Sequence, residues 1–132
     1  IQAPFFVYAS REDHIVPWKA AYASTALVKG PNGARAKANQ FVLGASGHIA
    51  GVINPPAKGK RSHWIGAPGA LPADAKQWFD KAKEHPGSWW TDWSDWLKGH
   101  AGKQVAAPKA PGNRQHKVIE AAPGRYVKQK AS

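Results

Sequence analysis

The chain has 132 residues and a formal net charge of +11, and it contains neither cysteine nor methionine. This length predicts at most one domain of ordinary size, and the lack of cysteine excludes disulfides, thiolate metal sites and a cysteine nucleophile within the chain. The 11 prolines and 13 glycines favour turns and loops. No apolar run approaches the roughly 20 residues of a transmembrane helix. Because the sequence begins at Ile1 and has no methionine, we expect it to be a fragment.

The first half of the chain has a strand, a helix and a second strand. Pro4–Ala9 is rich in aromatic and β-branched residues and lacks polar alternation, which is typical of a buried parallel strand. Trp18–Lys29 has helical spacing, with Pro17 in its first turn. After the basic loop Pro31–Asn39, Gln40–Gly44 is predicted to be the second strand. This order predicts a right-handed crossover between two parallel strands, and hence an α/β fold.

The second half is predicted to be helical and then extended. Ile49–Ile53 has room for one helical turn before Pro55-Pro56 stops it. Ala73–Glu84 and Trp89–Lys98 are helix candidates. From residue 101 onward the chain is mostly Ala, Pro, Gly and Lys and cannot bury enough to fold alone. We therefore predict a globular part at 1–100 and a basic tail at 101–132.

The positive charge is concentrated in that tail. It contains seven lysines and arginines and one acidic residue, Glu120. The net charge of the chain is compatible with nucleic acid, an anionic surface or a phosphate-bearing substrate as a partner, but most basic tails are simply solvated. The sequence has no Walker loop, no G-x-G-x-x-G and no nucleic-acid-binding motif, so no nucleic acid partner is expected.

An acid and a histidine follow the two predicted strands. Asp13 comes soon after the first strand, and His48 lies in GASGH after the second. The carboxyl ends of parallel strands are where α/β sheets hold their sites. An acid followed by a histidine matches the last two members of an α/β-hydrolase triad, in which a carboxylate fixes the tautomer of the imidazole. The alternative is a surface aspartate and a loop histidine that never meet.

The neighbouring polar residues are weaker candidates. His14 is predicted to cover the site, and Glu12 to be solvated. Ser46 is not in a G-x-S-x-G box and precedes no long helix, so we do not expect it to be a nucleophile. The glycines of GASGH are predicted to let the backbone bend and turn His48 inward. The other histidines show no metal-ligand spacing.

Tryptophans mark the last predicted helix. Trp89, Trp93 and Trp96 fall on one helical face together with Leu97, which predicts that this face packs on the sheet as core. Trp90 falls off that face, and a partly exposed ring there would suit a polymer, a hydrophobic surface or another subunit.

Five segments resemble the C-terminal part of class I polyhydroxyalkanoate synthases, the bacterial enzymes that polymerise poly(3-hydroxybutyrate). They are SREDHIVPW, AAYASTAL, FVLGASGHIAGVINPPAKGKRSHW, HPGSWWTDWSDWL and APGRYVKQKA, in register from about Phe5 to Ala131. The resemblance implies an α/β-hydrolase-fold catalytic domain, of which this chain supplies the last two parallel strands with their flanking helices. It also implies a catalytic triad of a cysteine in a G-x-C-x-G box, Asp13 and His48. His48 would activate the thiol, and Asp13 would either orient His48 or help activate the 3-hydroxyl of the incoming monomer.

The resemblance further implies an acyltransferase. Its substrate would be an (R)-3-hydroxyacyl-CoA, such as 3-hydroxybutyryl-CoA, which is added to a growing polyester chain with release of coenzyme A. The thioester is a substrate, and no cofactor or metal is expected. Family members act as homodimers on polyester granules in the cytoplasm, without a transmembrane segment.

The chain departs from the family pattern in two places. The cysteine box is missing, so the isolated chain is predicted to be inactive. The basic loop PNGARAKAN is longer than usual, and its place between two elements predicts a tolerated surface insertion.

Two alternatives stay open: a non-catalytic module that binds a granule surface or an anion, and part of a serine α/β-hydrolase. In the complete gene, G-x-C-x-G would support the synthase, G-x-S-x-G the hydrolase, and no nucleophile box the module.

Overall fold

The computed structural model describes residues 3–28, 38–69 and 71–130. Contacts divide the chain into two units, Ile1–Ala101 and Gly102–Ser132. The first unit holds four strands and three helices in its described residues. In chain order they are β1 (Phe6–Ser10), α1 (Trp18–Val28), β2 (Gln40–Gly44), β3 (Ser62–Ile65), α2 (Ala75–Lys81), β4 (Lys83–Pro86) and α3 (Trp90–His100).

The four strands form one mixed sheet in the order β1-β2-β3-β4. The predicted parallel pairing of the first two strands is confirmed, with Tyr8 beside Val42 and Ser10 beside Gly44. Every residue of β2 is buried, as expected for a strand that is covered on both faces. The predicted basic loop that precedes β2 falls mostly in residues 29–37, outside the described residues. The α/β class is confirmed by this arrangement.

Helices α1 and α2 pack on one face of the sheet, where they enclose an aromatic core. The ring of Phe41 meets the rings of Tyr22 and Trp78 edge to face, with centroids 4.9 and 4.8 Å apart. The Tyr22 hydroxyl donates a hydrogen bond to the Pro72 carbonyl at 2.7 Å. Burial, together with the nearby charge of Asp74, raises the pKa of Tyr22 to about 12, so this hydroxyl keeps its proton. The buried members of the core are Ala9, Tyr22, Phe41, Leu43 and Trp78.

Helix α3 contacts aromatic side chains of β1 that alternate with the core residues. The Trp89 ring stacks on Tyr8 at 4.2 Å, and the Trp96 ring meets Phe6 edge-on at 5.6 Å. The prediction that the α3 stripe is core is wrong. No residue of α3 is buried, and Trp93 is 41% exposed. The ring contacts with β1 come from Trp89, just before α3, and from Trp96, whereas the Trp93 ring packs against Trp89 with centroids 5.9 Å apart.

Strands β3 and β4 correct the sequence prediction. The predicted helix Ala73–Glu84 is shorter, since Ala82 is already extended and Lys83–Pro86 forms β4. Both strands pair antiparallel, β3 with β2 and β4 with β3. The sheet therefore does not end at the two predicted parallel strands. Pro86 is compatible with β4 because this strand lies at a sheet edge, where a missing N–H is tolerated.

The second unit, described to residue 130, contains one short 3₁₀ turn, Tyr126–Lys128. Almost all of its residues are exposed. Its contacts are local: the Asn113 side chain accepts from two backbone N–H groups, and Arg125 pairs with Glu120 at 3.2 Å. In the described part of the chain, no helix is long and apolar enough to cross a membrane.

Candidate active site

The loops that follow β1 and β2 are joined by backbone hydrogen bonds. The N–H of Arg11 donates to the Gly44 carbonyl at 2.8 Å, and the N–H of Glu12 donates to the Ser46 carbonyl at 3.1 Å. These bonds continue the parallel ladder beyond the strands, so the two loops run side by side. Asp13 and His48 follow these loop residues, so both lie at the carboxyl ends of the two parallel strands.

Asp13 is fixed by three hydrogen bonds. Its Oδ1 accepts from the backbone N–H groups of Ile15 and Val16, both at 2.9 Å. Its Oδ2 lies 2.7 Å from Nδ1 of His48. The N–H of Val16, followed by the bonds from His48 and Ile15, holds the pKa of Asp13 below its ordinary value against the opposing effect of burial. The carboxylate therefore stays ionised at neutral pH, with its side chain only 8% exposed.

The bond to Asp13 determines which nitrogen of His48 can act. An ionised carboxylate only accepts hydrogen bonds, so Nδ1 of His48 carries the hydrogen and donates it. The neutral ring then has its lone pair on Nε2, where it can take a proton from a nucleophile. No described residue is hydrogen-bonded to this nitrogen, and the side chain is 45% exposed. The predicted pair of Asp13 and His48 therefore meets, which excludes the alternative of two residues that never come together.

The bend before His48 is made differently from the prediction. Ser46, not a glycine, has the left-handed backbone, with φ of 81°, a conformation that non-glycine residues seldom adopt. Gly44 is needed for space instead, because a Cβ there would lie 2.7 Å from Cε2 of Tyr8. The Ser46 side chain does not line the cavity described next. Glu12 and His14 are exposed and also lie outside it.

A cavity of about 350 Å³ opens beside the pair. Its walls are largely apolar, and Tyr8 and Ser10 bring hydroxyl groups to it. These two hydroxyls are hydrogen-bonded to each other at 3.0 Å. Burial raises the pKa of Tyr8, so its hydroxyl stays neutral and can donate. The cavity is lined by Tyr8, Ala9, Ser10, Asp13, Val16, Ala21, His48, Ile49, Val52 and Ile53.

Sequence reasoning missed a second acid–histidine pair. Nε2 of His63 lies 2.7 Å from Oδ2 of Asp92, and its Nδ1 faces the Gly87 carbonyl at 3.2 Å. Both ring nitrogens thus face acceptors, and the side chain is only 2% exposed. Neither ring nitrogen is open to a substrate, so the pair serves structure by joining β3 to α3. The only sequence signal was the acidic residue in the first turn of α3.

A metal centre has no support in the described residues. No group of three or more histidine, aspartate or glutamate side chains there could hold a metal ion. The chemistry that this part of the chain offers is proton transfer at His48, next to a largely apolar cavity.

No protein-family model matches the chain. Curated relatives do. The chain is 60% identical over 131 residues to the poly(3-hydroxyalkanoate) polymerase subunit PhaC of Cupriavidus necator, a match that covers 99% of the chain and 21% of the relative. It is 41% identical over 127 residues to the subunit of the same name from Rhizobium etli, covering 96% of the chain and 18% of the relative.

A third relative is poly(3-hydroxyalkanoate) polymerase 1 of Ectopseudomonas oleovorans, 37% identical over 127 residues, with 96% of the chain and 21% of the relative covered. The predicted resemblance to polyhydroxyalkanoate synthases is confirmed. The chain spans about one fifth of the length of these polymerases. The similarity covers Asp13 and His48 together with almost every other residue of the chain.

Proposed function

We propose that the chain is the C-terminal part of a polyhydroxyalkanoate synthase, and that Asp13 and His48 are two members of its Cys-His-Asp triad. The observation that carries the proposal is the 2.7 Å contact between Nδ1 of His48 and Oδ2 of Asp13 at the ends of adjacent parallel strands. It is supported by the similarity to polymerases over nearly the whole chain. The third member, the cysteine, would come from the part of the polymerase that this chain does not contain.

The proposed reaction is acyl transfer through a covalent intermediate. Nε2 of His48 takes the proton of the cysteine thiol, and the thiolate attacks the thioester carbonyl of an (R)-3-hydroxyacyl-CoA. The carbon–sulfur bond to coenzyme A breaks, and the imidazolium returns its proton to the leaving thiolate. Asp13 holds the ring in the required tautomer and stabilises its charged form. In the elongation step, a 3-hydroxyl group attacks the carbonyl of the acyl-cysteine thioester, such as a 3-hydroxybutyryl thioester. An ester bond forms, the carbon–sulfur bond to the cysteine breaks, and the hydroxyl proton passes by way of His48 to the cysteine thiolate.

The catalytic domain is proposed to have the α/β-hydrolase fold. Two parallel strands joined through α1, with helices on both faces and an acid and a histidine after consecutive strands, are compatible with it. We also propose that the complete synthase needs no cofactor and works as a homodimer on polyester granules in the cytoplasm, as the resemblance implies.

Matched substitutions at the two acid–histidine pairs test the proposed role. In Asp13→Asn the amide oxygen must face the N–H groups of Ile15 and Val16, so the amide nitrogen faces Nδ1 of His48. The imidazole is then forced into the wrong tautomer, with its hydrogen on Nε2. In Asp92→Asn the amide oxygen is free to accept from His63, so the geometry there survives.

The measurement is coenzyme A release from (R)-3-hydroxybutyryl-CoA by the complete polymerase that contains this sequence. Asp13→Asn and His48→Ala should each lower turnover by roughly 10³-fold or more, as for other cooperating triads. Asp92→Asn should keep turnover within a few-fold of the unmodified enzyme. Near-normal turnover in Asp13→Asn or His48→Ala, in folded protein, would contradict the assignment.

A further inference from the structure

His48 lies in a single helical turn that two prolines interrupt. The N–H of Gly51 donates to the Gly47 carbonyl at 2.8 Å, and the N–H of Ile53 donates to the Ile49 carbonyl at 2.9 Å. In a continuing helix, the carbonyls of Gly51 and Val52 would accept from residues 55 and 56. These residues are Pro55 and Pro56, which have no N–H to donate. The turn therefore ends with two carbonyls that lack their helical donors.

Two consecutive tryptophans supply those donors. Nε1 of Trp89 donates to the Gly51 carbonyl at 3.2 Å, and Nε1 of Trp90 donates to the Val52 carbonyl at 2.9 Å. The Val52 carbonyl also accepts from the backbone N–H of Asn54 at 3.1 Å, a contact within the turn and not a helical one. The tryptophans themselves are fixed at the start of α3, where the buried Ser88 accepts from the N–H of Trp90. The indole groups thus take the places of the backbone donors that the prolines remove.

Trp89 also connects the start of α3 to Tyr8, which lines the cavity beside His48. The Trp89 ring stacks on Tyr8, whose hydroxyl bonds the Ser10 side chain. The helical turn is closely packed there, since a Cβ at Gly51 would lie 2.8 Å from both the Gly47 carbonyl oxygen and the Tyr8 hydroxyl. Tyr8 therefore packs closely against the helical turn at Gly51, and the two indoles bond to the carbonyls at its end.

We propose that Trp89 and Trp90 are positioning residues for His48. This inference rests on the proposed function, in which Nε2 of His48 takes the proton of the nucleophile. The ring of His48 is half-exposed and has one side-chain bond, to Asp13, so the backbone of its turn decides where Nε2 points. Residues that support a catalytic group in this way matter for rate because a displacement of about 1 Å can cost on the order of 100-fold.

The test removes each indole N–H while keeping a ring. Trp89→Phe and Trp90→Phe are made in the complete polymerase, with Trp96→Phe as the matched control. Nε1 of Trp96 also donates to a backbone carbonyl, that of Ala38, at 2.6 Å. Ala38 precedes β2, whereas His48 follows it, so the control loses the same kind of bond at the opposite end of the strand.

Turnover and KM are measured as coenzyme A release from (R)-3-hydroxybutyryl-CoA. Trp89→Phe and Trp90→Phe should each lower kcat about tenfold, as expected for a displacement smaller than the roughly 1 Å that costs on the order of 100-fold, with little change in KM. Trp96→Phe should leave kcat nearly unchanged, although all three variants lose one hydrogen bond. In the His48→Ala background, Trp89→Phe and Trp90→Phe should cause no further loss, because there is no longer an imidazole to position.

Hydrogen exchange of the complete polymerase supplies a readout that does not depend on turnover. Peptides covering residues 47–54 should exchange faster in Trp89→Phe and Trp90→Phe than in Trp96→Phe. If these two variants lower kcat no more than Trp96→Phe while His48→Ala is inactive, the positioning role is overturned and the proposed function stands. If His48→Ala itself keeps normal turnover, the proposed function fails, and the positioning role fails with it.

Discussion

Trp78 and Trp93 are predicted to differ in how much they stabilise the fold, although sequence periodicity favoured Trp93 as a core residue. Trp78 is 3% exposed and packs between Phe41 and Tyr22. A buried tryptophan removes up to about 250 Å² from water, which corresponds to roughly 4–6 kcal/mol of unfolding free energy at about 25 cal/mol per Å². Measured losses for tryptophan-to-alanine changes in cores are about 3–5 kcal/mol.

The loss of unfolding free energy expected for Trp78→Ala is reduced by one polar atom of the ring. Its Nε1 is buried and has no hydrogen-bond partner among the described residues. A buried donor without a partner destabilises the folded state by about 1–3 kcal/mol, so its removal offsets part of the loss. Trp78→Ala should therefore destabilise the protein by about 2–4 kcal/mol, at the lower end of the usual range. Trp93 is 41% exposed, so the same area estimate falls to about three fifths. With the compactness of the unfolded chain allowed for, Trp93→Ala should cost about 1–3 kcal/mol.

Thermal melting of the complete polymerase, followed by circular dichroism, measures the difference. The complete polymerases have about 600 residues, since 131 aligned residues are 21% of one of them. For a chain of that length the shift is roughly 1 °C per kcal/mol, so Trp78→Ala should lower Tm by about 2–4 °C and Trp93→Ala by about 1–3 °C. Trp78→Phe is the control, since it keeps a ring against Phe41 and removes the unpaired N–H, and its Tm should stay close to that of the unmodified protein. An equal or larger shift in Trp93→Ala than in Trp78→Ala would refute this packing argument.

Two further predictions concern Asp13 and the chain by itself. The folded protein lowers the pKa of Asp13, so the stabilisation is complete above the ordinary carboxyl pKa of about 4 and is lost as pH falls through the lower folded value. The Tm difference between the unmodified polymerase and Asp13→Asn should accordingly shrink in acid, and a constant difference would contradict the shift. Purified residues 1–132 should release no coenzyme A from hydroxybutyryl-CoA, because they contain no cysteine nucleophile. Turnover that persists in the pure chain would mean that another residue serves as nucleophile.

The parts of the fold that sequence predicted are those with local signals. Strand β1, helix α1 and strand β2 each have their own apolar pattern, and their order is enough to place Asp13 and His48 at one edge. Strands β3 and β4 are four residues each, and their pairing is set by partners that are distant in sequence. Such short runs have too few residues for a period to appear.

For the site residues too, sequence predicted what depends on local patterns and missed what depends on contacts between distant segments. Asp13 and His48 could be paired because each directly follows a recognisable strand. His63 and Asp92 could not be paired, because His63 lies on an unrecognised strand 29 residues from its partner. Periodicity also placed the tryptophans of α3 on one face, yet it cannot say what covers that face. The indole bonds of Trp89 and Trp90 reach the carbonyls of Gly51 and Val52, which lie 38 residues earlier in the chain and could not be predicted from periodicity.

Strand β1 has a consequence for handling the chain as a separate polypeptide. It lies at one edge of the sheet, and within the described residues no strand pairs with its outer side. Open N–H and C=O groups on an apolar strand are a template on which another copy can add. At high concentration, the isolated polypeptide is therefore prone to edge-to-edge aggregation, and its solubility would depend on covering Phe6–Ser10.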